Sequence, residues 1–407
     1  ISGPMPSPRI TAIVGFIVDW SLCMGERDPT RSGVELTAHY RPATAWGTVD
    51  GMRLLAKFTV ALLLSGALPA AAFEPARIEL VVDAGEQAYF NVSGTWPDTC
   101  PPRLAGIMVD DRDVTLLGAR ESAGCQPSPT PYSLASTRMP LPSLLPGAGI
   151  HRVRLQLDDS ADGTRPALAG FALVQVGTTP GLALETGFWW AEQGGEFDAG
   201  PGLGLSVETQ SGLISLSVMG YDAQGASAWY FGAGEIDSGT AHLELAQFEG
   251  GAGPFARYTA PETVRLSGGV DVEPITPSRA VLWFSRPDPE TGLIDLRPLS
   301  VVRFSFAQDP GEALLGRWVL TSADASQRIT RWLDFVRSEP VEGGFILHDA
   351  EGAVLRCEAT PGLPGSPPAL CRLDAGDGDA VEFTDIALRR LAGWDADAHR
   401  TLAFRID

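Results

Sequence analysis

The sequence predicts an all-β fold, in which a sandwich of two sheets precedes antiparallel meander or barrel-like units. Two observations predict this fold. Short runs rich in Val, Ile, Leu and aromatic residues are separated by clusters of Gly, Pro, Asp and Ser, which is the pattern of strands joined by turns. Several runs also alternate apolar and polar residues with a period of two, so that one face of each strand turns toward a core.

Residues 52–72 have the features of a secretory signal peptide. Arg53 and Lys57 supply a positive start, residues 58–68 form an apolar run, and the Pro-Ala-Ala-Ala that ends at Ala72 suits signal peptidase. The apolar run is much shorter than the ~20 residues that a membrane-spanning helix needs. We therefore expect cleavage near Ala72, no membrane span, and a periplasmic or secreted protein of Gram-negative bacterial type.

Residues 1–51 precede this signal. They mix Pro, Gly and Arg with short apolar runs and have no sustained helical or strand period. We expect them to be upstream translation without a fold. Cys23 lies in this part, so the mature chain keeps four of the five cysteines.

The four remaining cysteines predict two disulfides. An even number of cysteines at close spacing in an exported protein indicates disulfide pairing. Local pairing joins Cys100 to Cys125 and Cys357 to Cys371. A zinc site is the alternative, but no Cys-x-x-Cys or His-x-His spacing supports one.

Charge and lysine content exclude several classes of function. The chain has a formal net charge of −20, which repels nucleic acid and anionic lipid. Lys57 is the only lysine in the sequence. The mature chain therefore has no residue for a lysine Schiff base, for pyridoxal phosphate attachment or for a Walker-type phosphate loop. We expect no nucleic-acid partner and no cofactor.

The segment 73–180 predicts the sandwich. Short strands alternate there with Pro-rich and Gly-rich loops, and one internal disulfide is expected. About a hundred residues of this kind suggest an immunoglobulin-like sandwich. The Cys, Trp, Cys spacing of antibody domains is absent, so the prediction concerns architecture only. The clearest strands are expected at 77–82, 88–92, 151–157 and 171–176.

The segment 181–308 predicts an antiparallel meander that carries an aromatic motif. Its first strands are joined by turns at 210–212 and 222–225, whose glycines permit left-handed backbone in a hairpin. Strands are expected at 203–208, 213–221, 228–234, 241–245, 280–285 and 299–306.

The segment 309–407 predicts a second β unit that duplicates the first. Gly187-Phe188-Trp189 is repeated as Gly316-Arg317-Trp318, and the turn 221–226 is repeated at 348–353. The two offsets are nearly equal, which is the sign of an internal repeat. Chance remains the alternative, because Asp-x-x-Gly turns are common.

Part of the segment 181–308 resembles a repeat of uncharacterised secreted proteobacterial proteins. The shared motifs are Gly-x-Trp at 187–189, Gly-x-Gly-x-x-x-Glu at 202–208 and Tyr-Asp-x-x-Gly-x-x-x-Trp-Tyr at 221–230. The resemblance covers 187–306 and departs from the usual pattern at Trp190, where Tyr is common. It implies a small antiparallel module, such as a closed barrel loosely similar to avidin, and it implies no activity.

The aromatic residues of the meander are the first candidates for a site. An aromatic platform binds a sugar ring or another flat apolar ligand, since aromatic faces supply large contact area with a polar handle. The alternative is that these residues fill a small barrel. Neighbouring residues of a strand point to opposite faces, so one of Trp189 and Trp190 is the better ligand candidate. The ligand-binding candidates are Trp189, Trp190, Glu208, Tyr221, Trp229 and Tyr230.

Glu208 has two interpretations. With Ser215 and Ser217 it makes a polar ligand cavity if these residues face the inside of a barrel, and a solvated surface if they face outside. With Glu196 and Asp198 it supplies the paired carboxylates that a glycosidase needs. Acidic residues are so numerous that such pairs also arise by chance.

The last candidates are acidic turns. Asp374, Asp377 and Asp379 are closely spaced on a glycine-containing loop, as calcium ligands are, but the spacing matches no known calcium loop. A solvated turn is the alternative, so no metal is predicted.

The function that this sequence favours is a non-catalytic binding or adhesion protein that recognises a glycan or another small extracellular ligand. Export, acidity and clustered aromatics without a catalytic constellation support it. The alternatives are a secreted carboxylate-based hydrolase and a structural envelope protein.

Overall fold

The computed structural model describes most of the chain from residue 73 onward. The described ranges are 73–121, 123–157, 167–177, 184–192, 203–222, 224–253, 255–307, 309–322, 330–360, 365–376 and 380–406. Residues 1–51 and the predicted signal peptide at 52–72 lie outside them. Regular structure in the described part is almost entirely β, which confirms the predicted fold class. No helix in these ranges has the length and hydrophobicity to cross a membrane.

Residues 77–176 form a sandwich. Its elements are β1 (Arg77–Val82), β2 (Gln87–Asp98), β3 (Arg103–Asp110), β4 (Asp113–Ala119), β5 (Pro127–Ala135), β6 (Met139–Pro140), α1 (Leu141–Leu144), β7 (Gly149–Leu157) and β8 (Ala167–Val176). One sheet places β2 between β1 and β5, with β6 also on β2; the other has the order β3-β4-β7-β8. All pairs are antiparallel except β4 with β7.

The two sheets share one apolar core. Phe90 and Trp96 of the first sheet pack with Leu116 and Leu155 of the second, and all four are buried. The predicted disulfide Cys100–Cys125 is present, with Cα atoms 5.6 Å apart. It joins the link between β2 and β3 to the segment before β5.

Residues 187–303 form a closed barrel of eight antiparallel strands. They are β9 (Gly187–Ala191), β10 (Gly204–Gln210), β11 (Leu213–Tyr221), β12 (Ser227–Asp237), β13 (Thr240–Glu249), β14 (Thr263–Thr276), β15 (Arg279–Pro287) and β16 (Ile294–Arg303). Each strand pairs with the next, and β16 returns to β9. A barrel of this size is filled by its own side chains or holds one small ligand.

The hairpin turns of this barrel form as the sequence predicts. Ser211 and Gly212 both have positive φ, 51° and 82°, as a two-residue hairpin turn requires. The Asp222 carboxylate accepts the backbone N–H groups of Gln224 and Ala226 at 2.9 Å. This side chain therefore stabilises the turn between β11 and β12.

Apolar side chains fill the inside of the first barrel. Period-two alternation turns Leu205 and Val207 of β10 inward, together with Leu216 and Val218 of β11. These residues pack around Trp189, which is fully buried. The interior is a core, and it excludes Glu208, Ser215 and Ser217.

Residues 316–405 form a second closed barrel of eight antiparallel strands. They are β17 (Gly316–Ser322), β18 (Thr330–Val341), β19 (Gly344–Asp349), β20 (Val354–Glu358), β21 (Leu370–Asp374), β22 (Ala380–Ile386), β23 (Arg390–Asp395) and β24 (Arg400–Arg405). A 3-10 turn, Glu312–Leu314, precedes them. The inside is again apolar, with Trp318, Phe345 and Phe383 buried.

The two barrels share several local contacts and one turn position. The indole N–H of Trp189 donates to the carbonyl of Glu185 at 2.9 Å, and that of Trp318 donates to the carbonyl of Leu314 at 3.0 Å. Each tryptophan lies opposite an arginine of the last strand, Arg303 or Arg405. The Asp222 turn and the Asp349 turn both join the third strand to the fourth.

Gly187 illustrates why the repeated motif begins with glycine. Its φ is 133°, a region that residues with a Cβ rarely adopt. A Cβ atom at this position would also collide with the guanidinium group of Arg303. Glycine is therefore required at position 187, both by its backbone conformation and because the Arg303 guanidinium lies against it.

The sandwich joins the first barrel around Trp283. This side chain is on the outer surface of β15 but is only 1% exposed. Its ring stacks on Phe171 of the sandwich at 4.8 Å, and its N–H donates to Glu273 at 2.8 Å. The Glu273 carboxylate also accepts from Arg152 of the sandwich at 2.9 Å. Charge and aromatic contacts together fix this junction.

The two barrels are joined by polar contacts. The Glu185 carboxylate accepts the backbone N–H groups of Leu388 and Arg389 at 3.0 and 2.8 Å. Arg279 donates to Glu192 of its own barrel and to Thr360 of the second barrel, both at 2.8 Å. Burial raises the pKa of Glu185, and the two backbone N–H groups partly oppose this effect.

The predicted disulfide Cys357–Cys371 lies inside the second barrel. The two residues face each other in the ladder between β20 and β21 and are buried. Their separation of 14 residues gives a loop whose closure contributes about 3 kcal/mol in the chain-entropy model. Replacing both cysteines by alanine is expected to lower the free energy of unfolding by about that amount.

Urea denaturation measures this effect. The Cys100–Cys125 disulfide stays intact in the variant. The decrease in the free energy of unfolding therefore comes from the second barrel alone. Equal unfolding midpoints for the wild type and the variant, both under oxidising conditions, would contradict the prediction.

Candidate functional site

The candidate site is an apolar surface on the outside of the first barrel, which we name the aromatic face. It extends over β9 to β14. Its residues are Phe188, Trp190, Met219, Trp229, Phe231, Phe248, Val264 and Leu266.

The strand registers align these residues in two rows. The first row passes through Trp190, Gly204, Met219 and Trp229, each opposite the next, and continues to Phe248 and Val264. The second row passes through Phe188, Ser206, Ser217, Phe231, Ala246 and Leu266. The face is therefore continuous across six neighbouring strands.

Much of this surface is exposed. Trp229 is 49% exposed, Met219 is 42% exposed, and Val264 and Leu266 exceed half. Outward positions on a half-buried strand are normally polar. A contiguous exposed apolar surface on a folded protein usually marks a site of interaction.

The rings on the face pack against one another. Trp229 lies 5.5 Å from Phe248 and 6.3 Å from Phe231, measured between ring centroids. The angle between the Trp229 and Phe248 planes is 32°. Mutual contact restrains these rings.

Two hydroxyl groups interrupt the second row. Ser206 and Ser217 lie opposite each other in the ladder between β10 and β11, with Phe188 on one side and Phe231 on the other. Both serines are partly exposed. A serine hydroxyl can donate or accept a hydrogen bond. The face thus combines aromatic rings with central polar groups.

Phe304 and Phe306 lie beside the aromatic face. Phe304 lies 6.1 Å from Trp190 and 6.2 Å from Phe188, and Phe306 beyond it is 76% exposed. Phe255 and Tyr258 are exposed on the loop between β13 and β14. Phe304 and Phe306 therefore extend the aromatic surface beside β9.

The six predicted ligand-binding residues differ in their exposure to solvent. Trp190 and Trp229 lie on the aromatic face, and Tyr221 is 61% exposed at the end of β11. Trp189 is fully buried and has no surface to offer to a ligand, and Tyr230 packs against the same core. The expectation that Trp189 and Trp190 face opposite sides of the strand agrees with this arrangement.

Glu208 is exposed on the outer surface of β10. Its negative charge acts on Arg303: burial lowers the pKa of that guanidinium, and the charges of Glu185 and Glu208 oppose the shift. Glu208 therefore lies on the outer surface of the barrel, close enough to Arg303 for the two charges to interact.

The remaining predicted residues do not form a described site. Glu196, Asp198, Asp377 and Asp379 lie outside the described residues. Asp374 accepts the backbone N–H of Gly376 at 3.0 Å, as an ordinary turn residue does. In the described ranges, Asp98, Cys100 and Cys125 are the one group with metal-ligating spacing, and both sulfur atoms belong to a disulfide.

Sequence reasoning missed much of the aromatic face. Met219, Phe231, Phe248, Val264 and Leu266 were assigned no role. The signal was present in β13, where the outward positions begin with His242 and Glu244 and end with Ala246 and Phe248. Apolar residues at positions that alternation turns outward would have identified the surface.

No protein-family model matches this chain, and none of the curated proteins compared with it is similar.

Proposed function

We propose that this chain is an exported, non-catalytic binding protein that holds a glycan on the aromatic face of the first barrel. The observation that carries the proposal is Trp229, a half-exposed ring in a continuous row of apolar side chains. The apolar face of a sugar ring stacks on such a surface. Ser206 and Ser217 are placed among the rings to bond sugar hydroxyls.

Export is supported by the cysteines. Both pairs are within disulfide distance, and disulfides persist in oxidising compartments such as the periplasm or the cell exterior. The signal peptide at 52–72 and the resemblance of 187–306 to a repeat of secreted proteins belong to the same proposal.

A hydrolase is less well supported. Glu208 lies on the outer surface of its strand, and a glycosidase needs two carboxyl groups at a fixed separation across a bound sugar. A shallow depression is lined by 286–289, 291 and 293–295 on the hairpin between β15 and β16. It includes neither Glu208 nor any residue of the aromatic face.

Affinity electrophoresis in gels that contain a soluble polysaccharide tests the proposal. Xylan, mannan, a β-glucan and soluble peptidoglycan fragments serve as probes. We expect at least one probe to retard the wild type. Trp229→Ala is expected to weaken that binding about tenfold or more, as truncation of an aromatic anchor does.

Trp332→Ala is the matched control, because Trp332 is 63% exposed on the second barrel. It should bind as the wild type does. Loss of binding in both variants, or in neither, would refute the assignment to the aromatic face. Release of shortened sugars during incubation with the wild type would refute the proposal that the protein is not an enzyme.

A further inference from the structure

The strand β3 forms an open edge of the sandwich. Among the described residues it pairs only with β4, so the backbone groups on its other side have no ladder partner. Unpaired strand edges readily add a further strand. The edge has eight residues, Arg103–Asp110, and contains no proline.

The other edges of the sandwich are protected. β5 carries prolines at 127, 129 and 131, which cannot donate ladder hydrogen bonds. β1 contacts β8, and β8 contacts β13, β14 and β16 of the first barrel. Natural proteins cover or interrupt edges in these ways to prevent unwanted pairing. β3 contains no proline, and in the described part of the chain it contacts β5 of the other sheet in addition to its ladder partner β4.

β3 also exposes apolar side chains. Met108 is 56% exposed and Val109 is 38% exposed. One protective feature is present: the register shifts between Leu104 and Gly106, which indicates a bulge. The stretch from Gly106 to Asp110 stays in regular register with β4.

The charges at the two ends of β3 point to a partner. Arg103 begins the strand and is 79% exposed in its side chain, where its contact is Glu121 at 3.5 Å. Asp110 ends the strand and is exposed, and exposed Asp111 follows it. The strand therefore carries an exposed arginine at its first residue and an exposed aspartate at its last.

We propose that β3 pairs antiparallel with β3 of a second copy of this chain. Antiparallel pairing about a two-fold axis brings the Arg103 end of each copy to the Asp110 end of the other. Oppositely charged residues across neighbouring strands stabilise the pair, and a two-fold axis repeats the contact twice. The two four-stranded sheets become one continuous eight-stranded sheet.

Sedimentation velocity of the full chain over a range of concentrations tests this pairing, with charge substitutions. We expect the wild type to form a dimer whose fraction rises with concentration. Arg103→Glu places two acidic groups together, and Asp110→Arg places two basic groups together. Each is expected to raise the dissociation constant about tenfold.

The double variant Arg103→Glu, Asp110→Arg restores opposite charges and is the decisive sample. It should dimerise as the wild type does, whereas loss of folding would not be repaired by a second substitution. Thermal melts followed by circular dichroism check that all variants are folded. A wild type that stays monomeric, because another segment or protein occupies β3, would overturn the proposal. So would single variants that dimerise unchanged.

Discussion

Trp283→Ala is expected to lower the free energy of unfolding by about 3–5 kcal/mol, as the loss of a buried tryptophan does. The side chain is 1% exposed between the sandwich and the first barrel. Its removal leaves a cavity beside Phe171 and takes one hydrogen-bond donor from Glu273, which is 5% exposed. Arg152 also loses a ring that lies 5.2 Å from its guanidinium carbon.

Urea denaturation followed by circular dichroism measures the loss. Trp394→Ala is the control, because Trp394 is 54% exposed, and its effect is expected to stay within about 0.5 kcal/mol. Trp283→Phe keeps a ring against Phe171 but removes the N–H, so we expect an intermediate loss of about 1–3 kcal/mol. Equal free energies of unfolding for the wild type and Trp283→Ala would contradict the prediction that this junction stabilises the protein.

Trp189→Ala is expected to destabilise the first barrel by about 3–5 kcal/mol. Trp189 is fully buried in the barrel core, and its N–H donates to the carbonyl of Glu185. Glu185 also contacts the second barrel through Leu388 and Arg389. The loss is therefore expected to weaken the junction between the barrels as well as the core.

Trp229→Ala is the matched control for this substitution. It removes the same residue type from the same barrel, but from the outer surface, where Trp229 is 49% exposed. Its expected effect on the free energy of unfolding is small, on the order of 0.5 kcal/mol. Chemical denaturation of both variants gives the comparison. A loss for Trp229→Ala as large as that for Trp189→Ala would contradict the assignment of the two faces.

Many of the strands were predictable from local sequence. β1 and β11 occupy the predicted ranges, and β7 and β8 contain theirs. Strand alternation and turn residues act over a few positions, so they can be read from the chain directly. The predicted strand 299–306 ends earlier, at Arg303, and leaves Phe304 and Phe306 beyond β16.

β14 was missed for a physical reason. It contains Gly268, Gly269 and Pro274, which weaken the sequence signal of a strand. In the structure the register shifts near these residues, between Leu245 and Ala246 opposite Gly268 and again after Pro274. Pairing with β13 on one side and β15 on the other holds β14 in place despite its composition.

The sequence by itself determined the β class, the two local disulfides and which residues of a strand share a face, because these depend on near neighbours. Only the tertiary structure decided what covers each face. Trp229 and Trp283 both lie on the outside of the first barrel, yet one is half exposed and the other is buried. The physical reason is that alternation separates two faces of a strand, while the sandwich that packs on Trp283 comes from residues more than a hundred positions away.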